Sequence, residues 1–96
     1  MKTDKALNAV KDIQDFYDVV TEVREELERA RKMYPEWPED EVHACAVMQE
    51  EATEALSAAM EHYYPYTNKR CDNALVRMRC EVIQCLAMGF RVLLGG

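Results

Sequence analysis

The chain has 96 residues, nearly half of them apolar, which suits one small domain with a thin core that oligomerisation would help to stabilise. Its 18 acidic and 12 basic side chains give a formal charge of -6, the opposite of the basic stripe carried by a nucleic-acid surface, so no nucleic-acid partner is expected. Residues 1 to 20 are too charged for a signal-peptide core and no later run approaches the ~20 apolar residues of a membrane span, so the expectation is a soluble, cytoplasmic protein without a membrane partner.

Only 3 glycines and 3 prolines punctuate the sequence, and they cluster at a few points, which predicts an all-α chain of three main helices forming a bundle within a single domain, residues 1–96. The first helix is expected from Thr3, as N-cap, to about Met33. Ile13, Phe16, Val20, Val23, Leu27, Ala30 and Tyr34 recur at alternating steps of three and four, the spacing of a helix–helix seam. Asp12, Asp15, Glu22, Glu25 and Glu26 with Arg24, Arg29 and Arg31 read as a solvated face. The run Tyr34-Pro-Glu-Trp-Pro-Glu-Asp40 then forces a turn, because residues preceding proline disfavour helical backbone.

Pro38 is expected to open the second helix, with Glu39, Asp40 and Glu41 near its positive end, and the helix to run to about Tyr63. Its many alanines allow neighbouring backbones to approach closely. A polar link, Tyr64 to Arg70, presents Lys69 and Arg70 as cations. The third helix is expected from about Asp72 to Leu94, ending at Gly95-Gly96, with Gly89 marking a close helix crossing. Leu75, Val82, Leu86, Phe90 and Leu93 are assigned to its core face. Cys45, Cys71, Cys80 and Cys85 form no Cys-x-x-Cys pair and read as reduced, mostly buried thiols. His43 and His62 share no ligand spacing with the acids and read as surface or partly buried residues.

Against this background Glu50, Glu51 and Glu54 are out of place in a tightly packed, alanine-rich helix, where carboxylates lose hydration and repel one another unless a cation compensates them. Ala44, Met48, Glu51, Ala55 and Ala58 follow one three-four seam, so Glu51 is expected to face a neighbouring helix. Glu51 and Glu54 stand three apart, as do Glu81 and Gln84, placing each pair on one helix face. Two such helices packed antiparallel would assemble four oxygen ligands of the kind magnesium or manganese accept together with phosphate. Glu50 would serve at the margin as a ligand or as the base for a bound water. On the third helix Arg77, Glu81, Gln84, Met88 and Arg91 make a polar stripe; each arginine taken alone reads as a surface or ion-pair residue, with neutralisation of Glu81 by Arg77 and contact of Arg91 with a substrate phosphate as the functional alternatives. No Ser-His-Asp or Cys-His arrangement and no glycine-rich phosphate loop is present in the sequence.

Glu50-Glu-Ala-Thr-Glu54, followed after 26 residues by Glu81-Val-Ile-Gln84, resembles the E-E-x-x-E and E-x-x-D motifs of the MazG-like, all-α nucleoside triphosphate pyrophosphohydrolases. The wording around both runs is similar to small phage-associated members, and the resemblance covers roughly residues 36 to 94. It implies Mg2+-dependent cleavage of a nucleoside triphosphate between its α- and β-phosphates. Glu51, Glu54 and Glu81 would be metal ligands and Glu50 an auxiliary group. Gln84 stands where the family has aspartate and offers one neutral amide oxygen in place of an anion. The resemblance also implies homodimers that complete four-helix units, or homotetramers, and leaves base and sugar contacts open among Trp37, Tyr17 and the Tyr63 to Tyr66 segment. The alternatives are a non-catalytic helical module that binds nucleotide or protein, and an acidic DNA mimic. The mimic requires the acids to be dispersed outward.

Overall fold

The computed structural model describes residues 2–64 and 73–96, and it consists of three helices: α1, Lys2–Met33; α2, Glu41–Tyr63; and α3, Ala74–Leu94. The all-α expectation holds. Thr3 lies inside α1, which starts one residue earlier than expected, a shift within the usual uncertainty of helix ends. The link cations Lys69 and Arg70, together with Cys71 and the expected start at Asp72, fall outside the described residues.

The start of α2 is set by chemistry that follows Pro38. Asp40 keeps an extended backbone and its carboxylate accepts the His43 N–H at 2.9 Å, so the helix begins at Glu41. That bond, reinforced by the His43 ring, holds the Asp40 carboxyl below its ordinary range. At the far end of α3, Gly95 adopts a left-handed φ of 76° and the Gly96 N–H returns to the Arg91 carbonyl at 2.7 Å, closing the helix as the glycine pair suggests.

The central element is α3: α2 packs along it and the C-terminal half of α1 lies across it. The α2 seam behaves as expected, with Ala44, Ala55 and Ala58 buried and Met48 and Glu51 half-buried. Small side chains let the two helices close up. A Cβ on Gly89 would stand 3.4 Å from the Met48 sulfur, the close crossing anticipated there. Val23, Leu27 and Ala30 of α1 meet Ala87 and Met88 of α3 in the main core cluster, with Trp37, Val47, Met48 and Ile83 around it. A Glu22–Arg79 ion pair, with one hydrogen bond of 3.0 Å, ties α1 to α3 at the edge of this contact.

Three expectations are corrected. The α1 seam is buried only from Val23 to Ala30, while Ile13, Phe16, Val20 and Tyr34 are exposed and every residue from Asp4 to Thr21 faces outward. Leu75, Val82, Leu86, Phe90 and Leu93 do not supply the core. They are exposed, whereas Ala74, Ala87, Met88 and Arg91 face inward. The reason is that, among the described residues, α2 and α1 are the elements that cover α3, and they occupy the sides that carry Ala74, Ala87, Met88 and Arg91. Finally, Cys45 and Cys80 are exposed and Cys85 half-buried, so these free thiols are not mostly buried.

Candidate metal site and adjoining cleft

Because α2 packs against α3 along its alanine seam, Glu51 and Glu54 are brought against Glu81. One carboxylate oxygen from each lies within 4.8 Å of the others. Glu51 and Glu81 are half-buried and each has a buried Oε2 atom with no hydrogen-bond partner among the described residues, while Glu54 is exposed. Burial pushes the Glu51 carboxyl above its ordinary value, and the charges of Glu54, Glu50 and Glu26 add to the effect. Glu81 is raised chiefly by burial and further by Glu51. Glu54 is raised chiefly by the adjoining Glu81 carboxyl, with which it would share a proton, and by that residue's charge. These groups hold protons more tightly than free carboxyls because two of them are partly buried and the three lie close enough to repel one another when ionised.

Orphaned carboxylate oxygens in a convergent set suit a hard divalent cation, which would satisfy them and relieve their repulsion. Glu51, Glu54 and Glu81 are the residues able to hold it. Arg77 turns elsewhere, forming an ion pair with Glu61 and exerting only a lesser attraction on Glu81.

Beside this cluster a cleft of about 520 Å³ opens between the C-terminal part of α1, the Pro-rich turn, α2 and α3. Glu50, Glu51 and Gln84 line it at the acid side, and Tyr34, Glu36, Trp37 and Arg91 also contribute to its walls. Gln84 is half-buried and Glu50 exposed. Arg91 is only 2% exposed, a notable depth for a cation. Its Nη2 donates to the Tyr34 carbonyl at 2.9 Å, its guanidinium lies 4.4 Å from the centre of the Trp37 ring, and its Nε has no partner among the described residues. Burial, followed by the nearby charge of Arg31, lowers its affinity for the proton.

Of the expected site residues, therefore, Glu51, Glu54 and Glu81 converge, Glu50, Gln84 and Arg91 share the adjoining cleft, and Lys69 and Arg70 lie outside the described residues. Sequence reasoning missed Glu26, assigned to a solvated face. Its side chain is 16% exposed, it lines the cleft, and it is clasped by Arg29, whose Nε donates at 2.8 Å. Its position, three after Val23 and four before Ala30, puts it beside the buried stripe and was the available signal. No family model, curated protein or solved structure matches this chain.

Proposed function

We propose that the protein is a magnesium-dependent nucleoside triphosphate pyrophosphohydrolase, releasing a nucleoside monophosphate and pyrophosphate. The observation that carries this reading is the convergence of Glu51, Glu54 and Glu81 with unpartnered buried oxygens beside a cleft large enough for a nucleotide. The spacing of the two glutamate-containing motifs, similar to that of MazG-like enzymes, supports the same chemistry. Bound magnesium, or manganese in its place, supplies a Lewis acid for the α-phosphate and a more acidic water.

In this reading Glu51, Glu54 and Glu81 would hold the metal through carboxylate oxygens, and Gln84 would offer a neutral amide oxygen. Glu50, on the cleft side of the cluster, accepts a proton from the attacking water. The water oxygen bonds to the α-phosphorus, the bond from that phosphorus to the α–β bridging oxygen breaks, and the leaving oxygen departs with pyrophosphate. Arg91, which lines the cleft, is the candidate contact for substrate phosphate, and Lys69 and Arg70, outside the described residues, are further candidates. Product analysis over a panel of ribo- and deoxyribonucleoside triphosphates tests the reading. Pyrophosphate release that Glu54→Ala leaves untouched would falsify it.

We further propose that a second copy covers the exposed apolar residues of α3 and the N-terminal half of α1, making a homodimer or a pair of dimers. These faces include Phe16, Val20, Leu86 and Phe90, all exposed in the single chain. Sedimentation should give an assembly larger than one chain, converted to monomer by Phe90→Glu. A wild-type monomer at high concentration would refute this assembly. The converging glutamates weigh against the DNA-mimic alternative, which needs its acids spread over the surface.

A further inference from the structure

We infer that Trp37 is the stacking platform for the nucleobase, with the cleft between Trp37 and Glu51 holding the nucleoside part of the substrate; the inference rests on the pyrophosphohydrolase reading. Three aromatic regions compete for this role on sequence grounds. Tyr17 lies on the outward-facing half of α1. Tyr63 and Tyr64 meet edge-on at 4.6 Å between ring centres, at the end of α2, twelve helical residues beyond Glu51 and so roughly 18 Å along the axis. Trp37, in contrast, lines the same cleft as Glu50, Glu51 and Gln84.

Trp37 is also built in. Arg91 covers its ring at 4.4 Å, and the chain around Gly96 approaches it closely enough that a Cβ there would stand 3.7 Å from the indole. Gly96 is in turn tied to the end of α1, where the Arg31 Nε donates to its carbonyl at 2.8 Å. A half-buried indole held in this way meets a ligand without first losing side-chain freedom. The buried Arg91 lines the same cleft as a cation whose Nε–H has no partner among the described residues, a second feature that suits an anionic ligand oxygen. One ligand that offers a flat π-surface, anionic oxygens and an affinity for carboxylate-bound divalent metal is a nucleotide. Base–aromatic stacking accepts every base, so the platform confers affinity for nucleosides as a class.

Trp37 is the single tryptophan, which makes its fluorescence a direct probe. The full chain with magnesium is titrated with triphosphates whose α–β bridging oxygen is replaced by methylene, and in parallel with inorganic tripolyphosphate. Nucleotide analogues should quench the emission, and tripolyphosphate should bind without comparable quenching. Trp37→Leu should weaken analogue binding and raise KM roughly tenfold, leaving kcat and tripolyphosphate binding nearly unchanged, while Trp37→Phe retains most of the affinity. Wild-type hydrolysis combined with no quenching and no effect of Trp37→Leu overturns the platform and leaves the hydrolase reading standing. Equal weakening of analogue and tripolyphosphate by Trp37→Leu also overturns it, since the residue then only supports the fold. Absence of both nucleotide binding and pyrophosphate release defeats the two readings together.

Discussion

Replacing Arg91 by methionine separates its value to the fold from its value to a ligand. The guanidinium gains a charged hydrogen bond to the Tyr34 carbonyl, about 1.5–3 kcal/mol, and a stacking contact with Trp37, about 1 kcal/mol. Against these stand a buried N–H without a partner, about 1–3 kcal/mol, and the removal of a charge from water, several kcal/mol after relaxation. The opposing contributions nearly cancel or favour the uncharged side chain. Methionine fills similar space, and the bond to the Tyr34 carbonyl is only partly buried, so water would replace the lost donor. Arg91→Met should therefore lower stability by no more than about 1 kcal/mol, or raise it, a change of at most about 8 °C downward for a domain of this size. Urea unfolding followed by circular dichroism measures that quantity, and binding of a non-hydrolysable nucleotide, expected to weaken at least tenfold (about 1.4 kcal/mol), measures the other. A loss of 3 kcal/mol or more with unchanged nucleotide binding would make Arg91 a structural anchor and refute the reasoning.

The acid cluster gives a pH dependence of defined sign. Glu51, Glu54 and Glu81 all have folded-state values above the ordinary 4.5, so the folded protein binds more protons than the unfolded chain in the window just above that value. Their contribution is fully present below the unfolded value and is lost as pH rises through the raised folded values; metal-free urea melts should show this decline, and Glu81→Gln should flatten it. A slope unchanged by Glu81→Gln contradicts the coupling of the three groups. Magnesium at 100 times its dissociation constant should restore about 2.7 kcal/mol to the metal-free protein, raising the melting temperature by roughly 10–20 °C, and Glu81→Gln should remove most of that gain. Gly89→Ala should stabilise the protein by about 0.5 kcal/mol. The helix gains up to about 1 kcal/mol from alanine, and the new Cβ meets only a flexible methionine sulfur at 3.4 Å, so a destabilised variant would show that the α2–α3 crossing cannot yield there.

The three helices and the convergence of Glu51 and Glu54 on Glu81 were legible because both depend on local period: apolar and small residues three and four apart, and acids placed on the same stripe. What the period could not supply was which stripe of α3 turns inward. Leu86 and Phe90 look like core to any reading of hydrophobicity, yet α2 and α1, the neighbours of α3 among the described residues, bury Ala87, Met88 and Arg91 and leave Leu86 and Phe90 outside. The same limit hid Glu26, whose inward position depends on how α1 crosses α3. Arg91 was recognised as a phosphate candidate, but its depth and its contact with Trp37 arise from residues 57 and 54 positions apart in the chain, a pairing no local pattern contains.

Hydrolysis of a nucleoside triphosphate in heavy-oxygen water, with magnesium present, tests the central claim most directly. The proposed chemistry places the label in the monophosphate, because water attacks the α-phosphorus, with pyrophosphate as the unlabelled product and Glu54→Ala reducing both by at least about 100-fold. Label in pyrophosphate, release of single phosphates, or no product from any nucleotide in the panel would contradict it.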